Sequence, residues 1–328
     1  MRLTYFHRRP TQIHYSLEQL FDGIRKGLPN SIITRKWVAP CYSQGLWPRV
    51  KMSLAARRAQ GDINHITGDI HFIALALKKR KTILTIHDLG ILNNTTNPLA
   101  RWVLKTFWIT LPVKRVRFVT VVSEATKKDL LRLVRIPKEK VRVIGNFISP
   151  AFIPYHKVFN GSKPIILHIG SAYNKNLTRS IQALKGLSCH LMVVGNPSET
   201  DRALLLEYQI EHTIVSGLTE QELVGMYRQC DILLFASTLE GFGIPILEAQ
   251  ATGRVVVTSN LSSMPEVAGE GAFLVDPYQV ASIRGGLERV IIDENYREAL
   301  ITKGFENVKR FSLEKVVEAY CELYQEIV

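Results

Sequence analysis

Cysteine is scarce in this chain. Cys41, Cys189, Cys230 and Cys321 are the only four among 328 residues, and no two share a CxxC spacing. That pattern excludes a disulfide framework or a thiolate metal centre, and the four read as free, mostly buried thiols. Long apolar runs are absent too: none approaches the roughly 18 to 20 residues that span a bilayer. The opening MRLTYFHRRP carries charge but no apolar core, so no secretory leader is expected and the setting is read as cytoplasmic. There is no Asp-x-Asp pair, no short-period repeat and no low-complexity tract. Gly-Glu-Gly at 269–271 lacks the third glycine of a dinucleotide fingerprint and precedes a strand instead of following one.

Acidic residues are in short supply in one half only. Residues 1–150 hold 27 Lys and Arg against 8 Asp and Glu, whereas residues 151–328 hold 15 against 21. A basic half joined to a mildly acidic one implies two domains with different partners. The basic half suits nucleic acid, an anionic membrane surface or a phosphorylated acceptor, and composition does not choose among them. The arginine-rich stretches lack the aromatics of an RNA module or a recognition helix, which argues against nucleic acid. Hydrophobic content of 46% and charged content of 22% are those of a globular protein, and the length suits two cores.

Short β-branched runs alternate with longer amphipathic stretches, as βαβ units with a parallel sheet require. In the second half, strands are expected at 164–170, 189–195, 212–217, 231–237 and 254–259. Helices are expected between them, one opened by a Thr219–Glu222 capping box and one closed by Gly253. The first half repeats the theme less regularly, with strands in LTYFH, 81–88 and 117–123 and helices over 16–28 and 123–134. The fold class is therefore α/β, with Rossmann-like domains at 1–155 and 156–310. The amphipathic tail 311–328 is expected to return to the first domain.

The most informative stretch is 237–277. A strand ends at Ser237, a turn with Gly241 and Gly243 follows, and Pro245 opens a helix. Glycines let backbone approach a ligand, and a helix N-terminus suits phosphate. Glu240 and Glu248 flank this turn; carboxylates there repel phosphate but accept from sugar hydroxyls.

Glu240, seven residues and then Glu248, with Gly-Phe-Gly between, resembles the signature of glycosyltransferase family four. The resemblance continues through Thr-Ser-Asn-x-Ser-Ser-x-Pro-Glu-Val and Leu-Val-Asp-Pro to Pro277, and upstream into MYRQCDILLFAS. It implies the GT-B architecture, two Rossmann-like domains facing a central cleft. The implied activity is hexose transfer from a UDP- or GDP-sugar to a glycan or lipid-linked acceptor, with retention of anomeric configuration and no metal or other cofactor. The family's basic residue after the first strand of the second domain is matched by Lys175 in Gly170-Ser171-Ala172-Tyr173-Asn174-Lys175-Asn176. That loop is one residue shorter than the family's and lacks its arginine. By this resemblance Glu240, Lys175 and His87, in TIHDLG, are catalytic. Gly170, Ser171, Lys175, Glu240, Gly241, Phe242, Gly243, Ile244 and Glu248 hold the donor, Glu240 at the transferred sugar and Glu248 at the ribose. A cleft histidine with a packing role is an equal alternative for His87.

His65 and His71 beside Asp62 and Asp69 invite a weaker metal reading. The family's N-terminal Gly-Gly loop is replaced by HRRPTQIHYSLEQLF, where His14 and Tyr15 are candidates to line the acceptor side. Ser123 and Glu124 read as a helix cap. The stretch 101–117 sets Trp102, Phe107 and Trp108 among basic residues, as either a membrane-surface segment or a docked helix with a basic outer face. The implied setting is polysaccharide assembly at the inner face of a cell membrane. Two other readings stay open: a nucleotide-sugar epimerase of the same architecture and a non-catalytic scaffold subunit.

Overall fold

The structure, a computed structural model, describes residues 1–10, 16–93 and 95–327, without the side chains of 16–18 and 93. His14 and Tyr15 lie outside the described residues. The chain divides into two compact units, Met1–Phe147 with Leu313–Val328, and Ile148–Ser312. The first boundary thus falls at 147/148, eight residues before the expected 155/156. The connector is fastened to the second unit, which explains the shift. Ile148 N–H donates to Phe311 O at 3.0 Å and Tyr155 N–H to Thr252 O at 3.3 Å. Phe152 packs edge-on to Tyr227, and Lys157 pairs with buried Asp231. Phe311 likewise packs edge-on to Phe242, so the second boundary moves from 310/311 to 312/313.

In the first unit six parallel strands form one sheet: β1 Arg2–His7, β2 Ile33–Val38, β3 Ile63–Ile66, β4 Thr82–Ile86, β5 Phe118–Val121 and β6 Val141–Val143. Their order is β2-β1-β3-β4-β5-β6. The strand β2 went unassigned from sequence because it is an edge strand, largely exposed, with Arg35 and Lys36 interrupting any apolar pattern. The C-terminal helix Leu313–Gln325 buries Val316, Val317, Tyr320, Leu323 and Tyr324, a stripe at helical spacing. Each is worth roughly 1.5–3 kcal/mol of burial at most. It lies close against the helix Ser16–Gly27: a Cβ added at Gly27 would come within 2.8 Å of Val317. The expected return of the tail to the first domain is therefore what the chain does.

The segment around Trp108 is docked on the first unit's core, the second of the two sequence readings. A helix Pro98–Val103 continues as a π-helical stretch Leu104–Thr110 and then Leu111–Arg115. Pro112 cannot donate to the carbonyl of Trp108 four residues back. His71 Nδ1 takes that carbonyl instead at 3.0 Å, so proline accounts locally for the widened turn. Trp108 and Ile109 are in the core while Trp102 and Phe107 face outward.

The second unit carries β7 Ile165–Ile169, β8 His190–Val194, β9 Glu211–Val215, β10 Ile232–Phe235, β11 Val255–Ser259 and β12 Phe273–Val275. All pairings are parallel, in the order β12-β11-β10-β7-β8-β9. Central strands read as continuous apolar runs because helices cover both faces. The Thr219–Glu222 capping box is present, and Gly253 ends its helix at φ 77°.

Candidate active site

Strand order in the second sheet reverses between β7 and β10. In a doubly wound sheet that point leaves a crevice at the carboxyl ends, where ligands bind. The loops that leave these two strands are 170–176 and 236–243, the two segments the motifs single out. Side chains tie them together. Asn174 Nδ2 donates to Leu239 O at 2.8 Å, and Thr238 N–H to Asn174 O at 2.8 Å. Asn176, left-handed at φ 61°, donates from Nδ2 to Ala236 O at 2.9 Å and to Pro277 O at 2.7 Å, joining three loops.

Lys175 and Glu240 meet on this frame. Lys175 Nζ donates to Glu240 Oε1 at 2.7 Å, and both side chains are mostly buried. The ammonium also stands 4.8 Å from the Phe235 ring centroid. Gly170, at φ +90°, lets the lysine stem lie across the backbone; a Cβ there would come within 2.9 Å of Lys175 Cγ. Ser171 Oγ accepts from Asn196 N–H at 2.9 Å, so its role is to link 170–176 to the loop after β8. An ammonium has three donors, and Glu240 takes one.

The glycine turn runs into the helix Ile244–Thr252, with Gly243 at φ 108°. Pro245 has no N–H, and Ile246 N–H is taken by Gly243 O. The donors at this helix end are therefore the N–H groups of Gly243 and Ile244, for which no partner occurs among the described residues. Phe242 turns its ring inward to pack on Phe311 at 5.6 Å, so only its main chain faces the turn's outer side. Ser262 Oγ donates to Glu240 O at 2.6 Å and Ser263 Oγ to Phe242 O at 2.7 Å, fixing the carbonyls on either side of Gly241.

Glu248 is buried one turn into the helix, and its Oε2 accepts from the Tyr227 hydroxyl at 2.6 Å. Burial pushes its carboxyl up to about 7, against the pull of the Tyr227 hydrogen bond. Burial and the neighbouring Glu248 hold the Tyr227 hydroxyl protonated far above its usual range. Five residues that shape this site were not singled out from sequence: Asn174, Asn176, Tyr227, Ser262 and Ser263. All lie inside segments that carried the family resemblance, but as neighbours of the signature glutamates and lysine they offered no separate chemical signal.

In the first unit, His87 follows β4, and its Nε2 hydrogen-bonds Thr67 O at 2.9 Å. Burial holds its pKa below the ordinary value, so the ring is neutral at pH 7 with Nδ1 as the acceptor. The residues of the metal reading are spoken for separately. His65 lies in a buried chain, with Nδ1 2.8 Å from the Tyr324 hydroxyl and Nε2 2.7 Å from Thr85 Oγ1. His71 holds Trp108 O, Asp62 accepts from Arg2 N–H, and Asp69 pairs with Arg8. Among the described residues no group of three or more metal-ligating side chains gathers. Ser123 caps the helix Glu124–Leu133, accepting from Thr126 N–H at 3.1 Å.

Comparison with known proteins covers both units. Residues 12–152 match the family described as Glycosyltransferase Family 4, and residues 152–307 match Glycosyl transferases group 1. The chain is 26% identical over 262 residues to the serotype-specific mannosyltransferase WbdA of Escherichia coli, covering 71% of this chain and 32% of that protein. It is 26% identical over 233 residues to the O-antigen chain mannosyltransferase B of Escherichia coli, covering 64% of this chain and 60% of that protein. The chain thus spans about a third of the first of these curated relatives and three fifths of the second. Among solved structures, the sucrose-phosphate synthase of Thermosynechococcus elongatus matches with a TM-score of 0.79 at 16% identity, over 100% of this chain and 99% of that one. HepE of Anabaena, solved with UDP-glucose, matches with a TM-score of 0.77 at 14% identity, over 98% and 99%. The fold is that of the GT-B glycosyltransferases.

Proposed function

We propose that this chain, which belongs to the family-four glycosyltransferases, transfers a hexose from a nucleotide-sugar donor to a glycan or lipid-linked acceptor with retention at the anomeric carbon. The observation that carries the reading is the Lys175–Glu240 pair, held at 2.7 Å where the second sheet reverses its strand order. The donor's nucleotide sits on the second unit. Lys175 keeps two N–H donors for the diphosphate beyond the one given to Glu240. With the Gly243 and Ile244 amides it neutralises charge as the nucleoside diphosphate leaves, so no resident metal is needed. Glu240, paired with Lys175 through Oε1, has its second oxygen for a hydroxyl of the transferred sugar. Glu248, already held by Tyr227, accepts from a ribose hydroxyl.

The acceptor hydroxyl attacks the anomeric carbon from the face the diphosphate departs. The C–O bond to phosphate breaks, and the acceptor's proton passes to the leaving phosphate oxygen. His87, neutral and fixed by Thr67 O, is assigned to hold the sugar. Mannose is the hexose we favour because the relatives include WbdA and the O-antigen chain mannosyltransferase B, both mannosyltransferases. Polysaccharide assembly at the inner face of a cell membrane is the matching setting.

The test is a panel of UDP- and GDP-hexoses, GDP-mannose among them, with and without glycan and lipid-diphosphate acceptors, followed by product analysis. One donor consumed only with acceptor, giving an α-linked product from an α-linked donor, is the expected result. Donor converted to a different sugar nucleotide without acceptor identifies an epimerase. No nucleotide bound at all identifies a scaffold.

A further inference from the structure

The ring of His87, assigned above to hold the sugar, makes a single hydrogen bond among the described residues, from Nε2 to Thr67 O at 2.9 Å. One bond leaves an imidazole free to pivot, because the outer torsion of histidine has broad minima. A second restraint comes from Phe21. Its ring meets that of His87 edge-on, with centroids 6.1 Å apart and planes at 81°. Phe21 is fully buried on the helix Ser16–Gly27. It is also the last residue of HRRPTQIHYSLEQLF, the stretch that stands where the family has its Gly-Gly loop.

Phe21 is itself backed on several sides. Its ring meets His65 edge-on at 5.2 Å and His7 at 6.3 Å, and it packs on Tyr5 and Tyr320, each at 6.0 Å. His65 is tied at both ring nitrogens, to the Tyr324 hydroxyl and to Thr85 Oγ1. Phe21 therefore stands between this buried hydrogen-bonded chain and His87. The carbonyl that His87 bonds is fixed as well. Thr67 N–H donates to Phe6 O at 3.1 Å, and the Thr67 hydroxyl lies 3.2 Å from that carbonyl and 3.1 Å from His7 Nδ1. Burial lowers the His7 pKa to about 4, so this ring is neutral at pH 7. His7 ends β1, Thr67 follows β3 and His87 follows β4, so the bonds cross three adjacent strand ends.

We propose that Phe21 and the Thr67 hydroxyl are positioning residues for His87. Thr67 sets the carbonyl that receives Nε2–H, and Phe21 stops the ring from turning about that bond, so that Nδ1 keeps one direction. This deepens the transfer reading by naming what aims the sugar-holding imidazole, and it rests on that reading for its purpose. A group that meets a sugar hydroxyl contributes most when its direction is set before the substrate arrives. A plain packing role for Phe21 would lower stability and leave the state of the His87 ring as it is.

The experiment is a long-range proton–nitrogen NMR spectrum of the histidine rings in the full chain, with His87→Gln identifying the His87 signals. Wild type is expected to show His87 as a single Nε2–H tautomer. Phe21→Leu and Thr67→Val should each turn it into a mixture of tautomers, and Thr67→Ser should restore the wild-type pattern. Turnover is read on the donor and acceptor that the hexose panel identifies. There Phe21→Leu should lower kcat about three- to tenfold with UDP or GDP affinity unchanged, and add less than about twofold to the loss in His87→Gln. A folded Phe21→Leu with the wild-type His87 pattern overturns the proposal. An equal loss from Phe21→Leu with and without His87 does so too, because Phe21 then acts by another route. If Phe21→Leu does not fold, Thr67→Val puts the same question to the ring, and an unchanged pattern there overturns the proposal. UDP and GDP titrations separate the two claims. Nucleotide bound by a chain whose His87 pattern ignores both variants removes the positioning alone. A pattern that responds to them in a chain that binds no nucleotide removes the transfer reading alone.

Discussion

At the carboxyl edge of the second sheet, amides and hydroxyls run from loop to loop: Asn174 to Leu239, Asn176 to Ala236 and Pro277, Ser262 to Glu240, Ser263 to Phe242. At the matching edge of the first sheet, the connections after β2 and β4 instead lead into helices with exposed aromatics and no acidic residue. Both sheets have six parallel strands, so architecture alone does not dictate what an edge becomes. In the transfer proposed above, a departing diphosphate would need donors already in place, and the cross-linked edge would hold them there. The first unit spends its side-chain bonds deeper down, where Tyr5, Tyr324, His65, Thr85 and Thr120 form one buried chain of contacts between 2.6 and 2.9 Å. One unit is cross-linked at its rim and the other inside.

The contrast can be broken most severely at Lys175. Lys175→Ala leaves Glu240 without its partner and the diphosphate without its cation, and kcat/KM should fall about 10²- to 10³-fold, or roughly 3–4 kcal/mol. A steady-state assay with saturating acceptor checks this, and activity near wild type would deny the pair its role.

Glu248 gives the next largest effect. Its pKa is raised when folded, so the stability linked to it is full below the unfolded value near 4.5 and is lost as pH rises through about 7. Glu248→Gln removes that loss. Relative to wild type the variant should gain about 3 kcal/mol of second-unit stability between pH 4 and 8, read by denaturant unfolding. Nucleotide affinity should move the other way, strengthening in wild type from pH 6 to 8 and staying flat and weaker in the variant.

Asn176→Gly keeps the left-handed backbone but deletes the amide that spans three loops. A loss of about 2 kcal/mol in the second unit is expected, with weaker nucleotide binding, since two buried carbonyls lose their donor. Tyr324→Phe is the first-unit counterpart. It leaves His65 Nδ1 and the Tyr5 hydroxyl unpartnered, at a cost of about 1–2 kcal/mol, and leaves nucleotide affinity unchanged. Calorimetric unfolding with and without nucleotide resolves the two. A drop in nucleotide binding by Tyr324→Phe would erase the division of labour. Smallest of all is the response to EDTA: because Lys175 and the turn amides are assigned the charge-neutralising task, transfer should proceed unchanged, and abolition by the chelator would contradict that assignment.

What was legible in the sequence followed from what repeats. The alternation of buried strands and helices gave the second unit almost element by element, because its strands are covered on both faces and read as apolar runs. The edge strand β2 and the short β3 were missed, one for its basic, exposed pattern and the other for its four-residue length inside a histidine-bearing stretch. Glu240 and Glu248 stood out by their place around the glycine turn, and Lys175 only through the family resemblance. Asn176 did not, since an asparagine before a helix announces a cap; here its side chain makes no cap and joins loops instead. Tyr227 lay hidden because its partner Glu248 is 21 residues away. The domain boundary was displaced because bonds from 148–157 to the second unit are tertiary, and no local pattern encodes them.

The central claim is that the second unit's rim is a nucleotide-sugar site built around Lys175. Calorimetric titration of wild type and Lys175→Ala with UDP, GDP and ADP tests it most directly. Wild type is expected to bind one of these nucleotides saturably, and the variant to lose that binding. Absence of binding to all three by a folded wild type, or equal binding by the variant, would contradict it.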